Sequence, residues 1–86
     1  MEFESGGKTF VIRSLKRKEV KALKNEGFNL YNISADQLDD LIDRIFEIVL
    51  TEEEIGAAED LDNRDAVKIF NQIFRETFGS EKQEKN

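Results

Sequence analysis

The 86-residue chain has no cysteine, histidine, proline or tryptophan, and only one Met and one Tyr. Without Cys or His it holds no zinc-finger or haem ligands, no disulfide framework, no thiol nucleophile and no Ser-His-Asp triad. No apolar run approaches the ~18 residues that a membrane span requires. No basic N-terminus leads into a signal-type apolar stretch either. The lack of Cys gives no reason to invoke an oxidising compartment, so the expected location is the cytoplasm. Basic charge is also short, at 13 Lys+Arg against 19 Asp+Glu for a net −6. Phosphate contacts need a surplus of cations, so general nucleic-acid binding is not expected.

Of the residues present, 38% are hydrophobic and 37% charged, a balance that supports a compact core on a heavily charged surface. The length suits one small domain, of a size that buries only about 60–65% of its unfolded surface. Such a domain is marginally stable or leans on a partner. The net charge conceals a split. Residues 1–33 hold seven cations (Lys8, Arg13, Lys16, Arg17, Lys18, Lys21, Lys24) and four anions, for +3. Residues 34–86 hold six cations and fifteen anions, for −9.

Gly6-Gly7 separates two strand-like segments within residues 2–13, and a Gly-Gly loop suits a type I′ hairpin turn because both positions accept φ > 0. Alternation places Phe10 and Ile12 on the buried face and Thr9, Val11 and Arg13 on the other. An isolated hairpin is at best marginal, so it must pack on the helices that come after it. Ser14 is positioned to cap a first helix over about 15–26, with Gly27 as its left-handed C′ residue. Leu15, Val20 and Leu23 give this helix one thin apolar stripe among Lys16, Arg17, Lys18, Lys21 and Lys24. Residues 28–33 read as a connecting loop with buried anchors.

Ser34-Ala35-Asp36-Gln37 fits a capping box, with Ile33 and Leu38 as a hydrophobic staple. Leu38, Leu41, Ile42, Ile45, Phe46 and Val49 then recur at helical spacing, which predicts the central core helix over about 35–50. Thr51 and Glu54 repeat the box and start a short helix over 52–59, weakened by Gly56. Asp62 or Asn63 can cap a last helix over 64–78, which carries Ala66, Phe70, Ile73, Phe74 and Thr77 and stops at Gly79. The polar residues 80–86 read as a disordered tail. The expected fold is α+β, mostly α: an N-terminal β-hairpin followed by a three- or four-helix array. Seven Phe supply bulk that tryptophan does not.

Asp36, Asp39, Asp40, Asp43 and Glu47 form an acidic constellation in which Asp39-Asp40-x-x-Asp43 resembles the carboxylate sets that hold magnesium, but such a site needs a second cluster and a deep pocket. A solvated polar face, partly neutralised by an Asp40–Arg44 pair, is the simpler reading, though the stripe could also meet a basic partner. Asp60 to Asp65 begins like a calcium loop, yet the EF-hand positions that need an oxygen ligand, Gly and Glu hold Arg64, Asp65 and Asn71. Gly6-Gly7 lacks the remainder of any phosphate-loop fingerprint. No nucleophile, base and oxyanion donor assemble, so the protein is expected to be no enzyme, with no cofactor and no metal. The basic cluster around Lys16, Arg17, Lys18, Lys21 and Lys24 reads as a solvated face or a patch for an acidic segment; it lacks a pattern suited to base edges. The polarised charge also allows copies of the chain to associate head to tail.

In order and length these features resemble the small tail assembly chaperones of long-tailed bacteriophages and prophages. The resemblance is carried by the run from Gly7 to Leu23 (GKTFVIRSLKRKEVKAL), by Leu41 to Ile55 and by Ile69 to Ser80. It implies a non-enzymatic protein that coats the helical tape-measure protein, keeps it soluble, helps recruit tail-tube subunits and is absent from the mature virion. It further implies a longer product made by ribosomal frameshifting near the end of the reading frame. By this analogy the partner-binding candidates are Lys16, Arg17, Lys21 and Lys24 of the basic helix and the edge formed by Phe70, Phe74 and Phe78. The other reading is a small cytoplasmic regulatory or adaptor module that binds a protein through the basic helix.

Overall fold

A computed structural model describes residues 1–79. Two antiparallel strands, β1 (Glu2–Ser5) and β2 (Lys8–Val11), are followed by α1 (Arg17–Asn25), a 3₁₀ turn (Ala35–Gln37), α2 (Leu38–Val49), α3 (Glu52–Glu59) and α4 (Asn63–Phe78). The fold is α+β and mostly α, as expected. The tail expected over 80–86 lies outside the described residues.

The hairpin turns through Gly6 (φ +60°) and Gly7 (φ +80°), which sets the register Ser5↔Lys8, Glu4↔Thr9, Phe3↔Phe10 and Glu2↔Val11. That register buries Phe10 and Ile12 and leaves Val11 exposed, the alternation read from the sequence. Met1 extends the ladder, its nitrogen donating to the Ile12 carbonyl (3.0 Å) and its carbonyl accepting from Ile12 N–H (2.8 Å). The hairpin is pinned to the start of α4. Ser5, the one buried polar side chain among the described residues, donates from Oγ to the Asp65 carbonyl at 3.0 Å. A Cβ on Gly6 would fall 2.5 Å from Leu61 Cδ2, so the turn backbone lies directly against the α3–α4 junction.

The first helix starts two residues later than the Ser14 cap predicts. Leu15 is buried in the preceding segment, where its N–H donates to Thr77 Oγ1 at 2.8 Å. Lys16 therefore takes the N-cap position, and Glu19 reaches back to accept its N–H at 2.7 Å. The end of α1 agrees with the sequence reading. Gly27, at φ +105°, occupies C′, with Phe28 N–H donating to Leu23 O and Gly27 N–H to Lys24 O, the paired bonds of a Schellman motif.

The Ser34 capping box does not form. Ser34 makes no side-chain cap bond, and Gln37 instead donates from Nε2 to the Gly27 carbonyl at 3.4 Å. The first turn of the expected 35–50 helix is consequently 3₁₀, and α-helical geometry begins at Leu38 and ends at Val49. The Thr51 box is complete: Thr51 Oγ1 accepts from Glu54 N–H (3.2 Å) and Glu54 Oε1 accepts from Thr51 N–H (3.0 Å). Asp62 is the N-cap residue of α4.

Phe10, Ile12, Leu23, Leu41, Ile45, Ile69 and Ile73 are the largest fully buried side chains, each contributing about 1.5–3 kcal/mol by burial. They come from the hairpin, α1, α2 and α4, so the core sits where those elements meet. Among the described residues no helix is long and apolar enough to cross a membrane.

Candidate functional site

The basic helix is more open than its composition suggests, because both nearby anions are engaged elsewhere. Glu19 takes a two-pronged bond from Arg13 (2.9 and 3.0 Å), whose guanidinium also donates to the Ser14 and Ile48 carbonyls. Arg13 foremost, helped by the Lys16 N–H, holds the Glu19 carboxyl down at about 2. Glu26 is held by Arg44 of α2 through two bonds of 2.9 Å, which keep its carboxyl below the usual range. Lys16, Arg17, Lys18, Lys21 and Lys24 are all exposed, and among the described residues none of them forms an ion pair. Arg17, Lys21 and Lys24 lie at i, i+4 and i+7, a single row along the helix; Lys16, at the N-cap, stands outside that row.

Phe70, Phe74 and Phe78 do not form a uniform open edge. Phe70 is 4% exposed and belongs to the core, whereas Phe74 and Phe78 are half-buried. The reason is geometric: an i, i+4 row drifts by about 40° around the helix at each step, so it leaves the buried stripe as it ascends. The rings remain in contact, 5.6 Å between the centroids of Phe70 and Phe74 and 4.8 Å between those of Phe74 and Phe78. The series continues onto the 28–33 loop, where Tyr31 meets Phe78 edge-on at 5.5 Å.

Sequence reasoning missed Tyr31 because it sits in a stretch without periodicity. Its neighbours hold the signal: Asn29 Oδ1 accepts Tyr31 N–H at 3.1 Å, and Asn32 N–H donates to the Asn29 carbonyl. This tight Asn-led turn buries Leu30 and leaves Tyr31 81% exposed. Val20, Lys24, Gly27, Phe28, Asn29, Leu30 and Tyr31 line a groove of about 350 Å³. Tyr31 thus joins the two candidate surfaces, the basic row and the Phe74–Phe78 edge, into one continuous strip: cations on one side, aromatic rings on the other, an apolar groove between.

No family model, curated protein or solved structure matches the chain. The functional reading therefore rests on this surface and on the order of sequence features.

A second groove, also about 350 Å³, opens between α2, α3 and α4. Asp39, Asp43 and Glu59 stand around Ile42, Phe46, Ala58, Leu61 and Ala66. It gives the polar face of α2 a location beside an apolar floor. Asp40 pairs with no cation among the described residues, since Arg44 turns to Glu26 and Glu47 instead. Among the described residues no group of three or more carboxylates is placed to hold a metal ion.

Proposed function

We propose that the chain is a non-enzymatic assembly chaperone of the phage-tail type, which receives an amphipathic helix of the tape-measure protein on the strip formed by Val20, Lys24, Phe28, Tyr31, Phe74 and Phe78. One observation carries the reading: Tyr31, almost fully exposed, closes the gap between the groove beside α1 and the aromatic edge of α4. An isolated exposed tyrosine is ordinary, but one continuous with an apolar groove and with two half-buried Phe side chains marks a recognition surface. A helix needs an apolar channel for its i, i+3, i+4 and i+7 residues and charge complementarity on its flank. The groove supplies the first, and the row Arg17–Lys21–Lys24, without an ion pair among the described residues, supplies the second for a helix with an acidic flank.

Such a role asks for contact without chemistry, in line with a chain that offers neither thiol nor imidazole. Coating a long helical partner and recruiting tail-tube subunits would use many copies, each held modestly.

Coexpression with the tape-measure protein of the same genome tests the proposal. The expected result is a soluble complex that co-purifies and that is lost with the double variant Tyr31→Ala, Lys24→Ala. A tape-measure protein that stays insoluble and unbound in the presence of the wild-type chain overturns it. Retained binding in the double variant removes the strip as the site.

A further inference from the structure

We infer that copies of this chain associate head to tail, the basic face of α1 in one copy seating in the acidic groove between α2, α3 and α4 of the next. The contact does not require the tape-measure partner, although it draws on Arg17 and Lys21, which also flank the helix-binding strip. Four observations converge on it.

Both surfaces carry unsatisfied charge of opposite sign. Arg17, Lys18 and Lys21 are exposed and Asp39, Asp43 and Glu59 line the groove, and among the described residues none of the six forms an ion pair. Their spacing also agrees. Asp39 and Asp43 are four residues apart on one helix, as are Arg17 and Lys21 on another, so each pair is separated by about 6 Å of helical rise. Two helices laid side by side bring both pairs opposite at once.

The groove floor suits this occupant as well. Leu61 and Ala66, half-buried above the core residues Ile42 and Phe46, provide apolar surface between the carboxylates, and the methylene stems of Arg and Lys cover such surface while their charged ends reach the rim.

Finally, the two surfaces lie on opposite flanks of α2. Arg44 reaches across one flank to Glu26 at the end of α1, whereas Asp39 and Asp43 line the groove on the other. The basic face of α1 therefore cannot reach the groove of its own chain. Two different surfaces pairing between copies make a heterologous contact, which repeats from copy to copy unless its rotation closes a ring.

Sedimentation velocity on the full chain tests this. The wild type is expected to show species larger than a monomer that grow with concentration, and to weaken at least tenfold between about 0.05 and 0.5 M salt, since exposed pairs are screened over that range. The double variants Arg17→Ala, Lys21→Ala and Asp39→Asn, Asp43→Asn should each sediment as monomers with unchanged circular dichroism. The decisive step is to mix them. Each retains the surface the other lacks, so the mixture should give a 1:1 dimer and nothing larger. Tyr31→Ala should self-associate as the wild type does, which separates this contact from the helix-binding strip. A wild type that stays monomeric up to about 1 mM at low salt, or a mixture that stays monomeric, overturns the inference. So does wild-type association in either double variant.

Discussion

Glu54 Oε2 accepts the backbone N–H of Val11 at 2.8 Å, across 43 residues of sequence, while its Oε1 accepts the N–H of Thr51 at 3.0 Å. One carboxylate thus closes the α3 capping box and covers an outward N–H on the free edge of β2. An uncovered strand edge is a template for unwanted pairing, so the contact both orients the hairpin and blunts its edge. Glu54→Ala should lower stability by about 1–2 kcal/mol through the lost cap and edge bond, a fall in Tm of about 4–15 °C for a domain this small. Thermal unfolding followed by circular dichroism measures it. A change below about 2 °C, well under that range, would show that the carboxylate carries neither function.

Glu19 contributes to the pH dependence in the acidic range. Its carboxyl is depressed from 4.5 to about 2, chiefly by the hydrogen bonds from Arg13. A depressed folded-state value means that the unfolded chain binds the proton more readily. The stabilisation is therefore fully present above about pH 4.5 and is lost as pH falls toward 2. Glu26 and Glu54 are lowered as well. For Glu54 burial pushes upward, and the bonds from Val11 and Thr51 outweigh it. Tm measured from about pH 7 down to about pH 2 should fall within the acidic window, and Glu19→Gln should flatten part of that fall. A Glu19→Gln curve parallel to the wild type would refute the assignment.

Thr77 explains why the first helix begins at Arg17. Its hydroxyl donates to the Ile73 carbonyl at 2.8 Å and accepts the Leu15 N–H at 2.8 Å, so the segment entering α1 is tied to the end of α4. Thr77→Val keeps the shape but leaves a partly buried N–H unpaired, which costs about 1–3 kcal/mol; Thr77→Ser should retain most of the stability. Urea denaturation of the three proteins separates the hydroxyl from the methyl. Equal midpoints for Val and Ser would mean that the hydroxyl does not matter.

Local signals in the sequence were reliable where one residue type answers a backbone need. Gly6, Gly7 and Gly27 all adopt positive φ, and Thr51–Glu54 forms its box because, among the described residues, the Thr51 hydroxyl and the Glu54 oxygen that faces it bond only within the box. Signals failed where a tertiary partner won. Ser34–Gln37 had the right spacing, but Gln37 donates to Gly27; Ser14 had the right identity, but the bond from Leu15 to Thr77 holds its neighbour extended. The candidate site was half legible. Spacing showed the basic row and the Phe row, but not that the latter turns into the core at Phe70, nor that an aperiodic loop would deliver Tyr31 beside Phe78.

That distinction between Phe70 and Tyr31 is itself open to test. Phe70 is nearly buried among core side chains and Tyr31 is 81% exposed, though both belong to one connected series of rings. Phe70→Ala should cost about 3–5 kcal/mol, a cavity in a tight core, enough to unfold much of a small domain. Tyr31→Ala should leave Tm within about 2 °C, since it removes little buried area, while weakening capture of an amphipathic helix several-fold. Tm and helix affinity, measured on both variants, should move independently. If Tyr31→Ala unfolds the chain, the loop is a structural brace and the strip is not a recognition surface; if it changes neither quantity, partner binding lies elsewhere on the molecule.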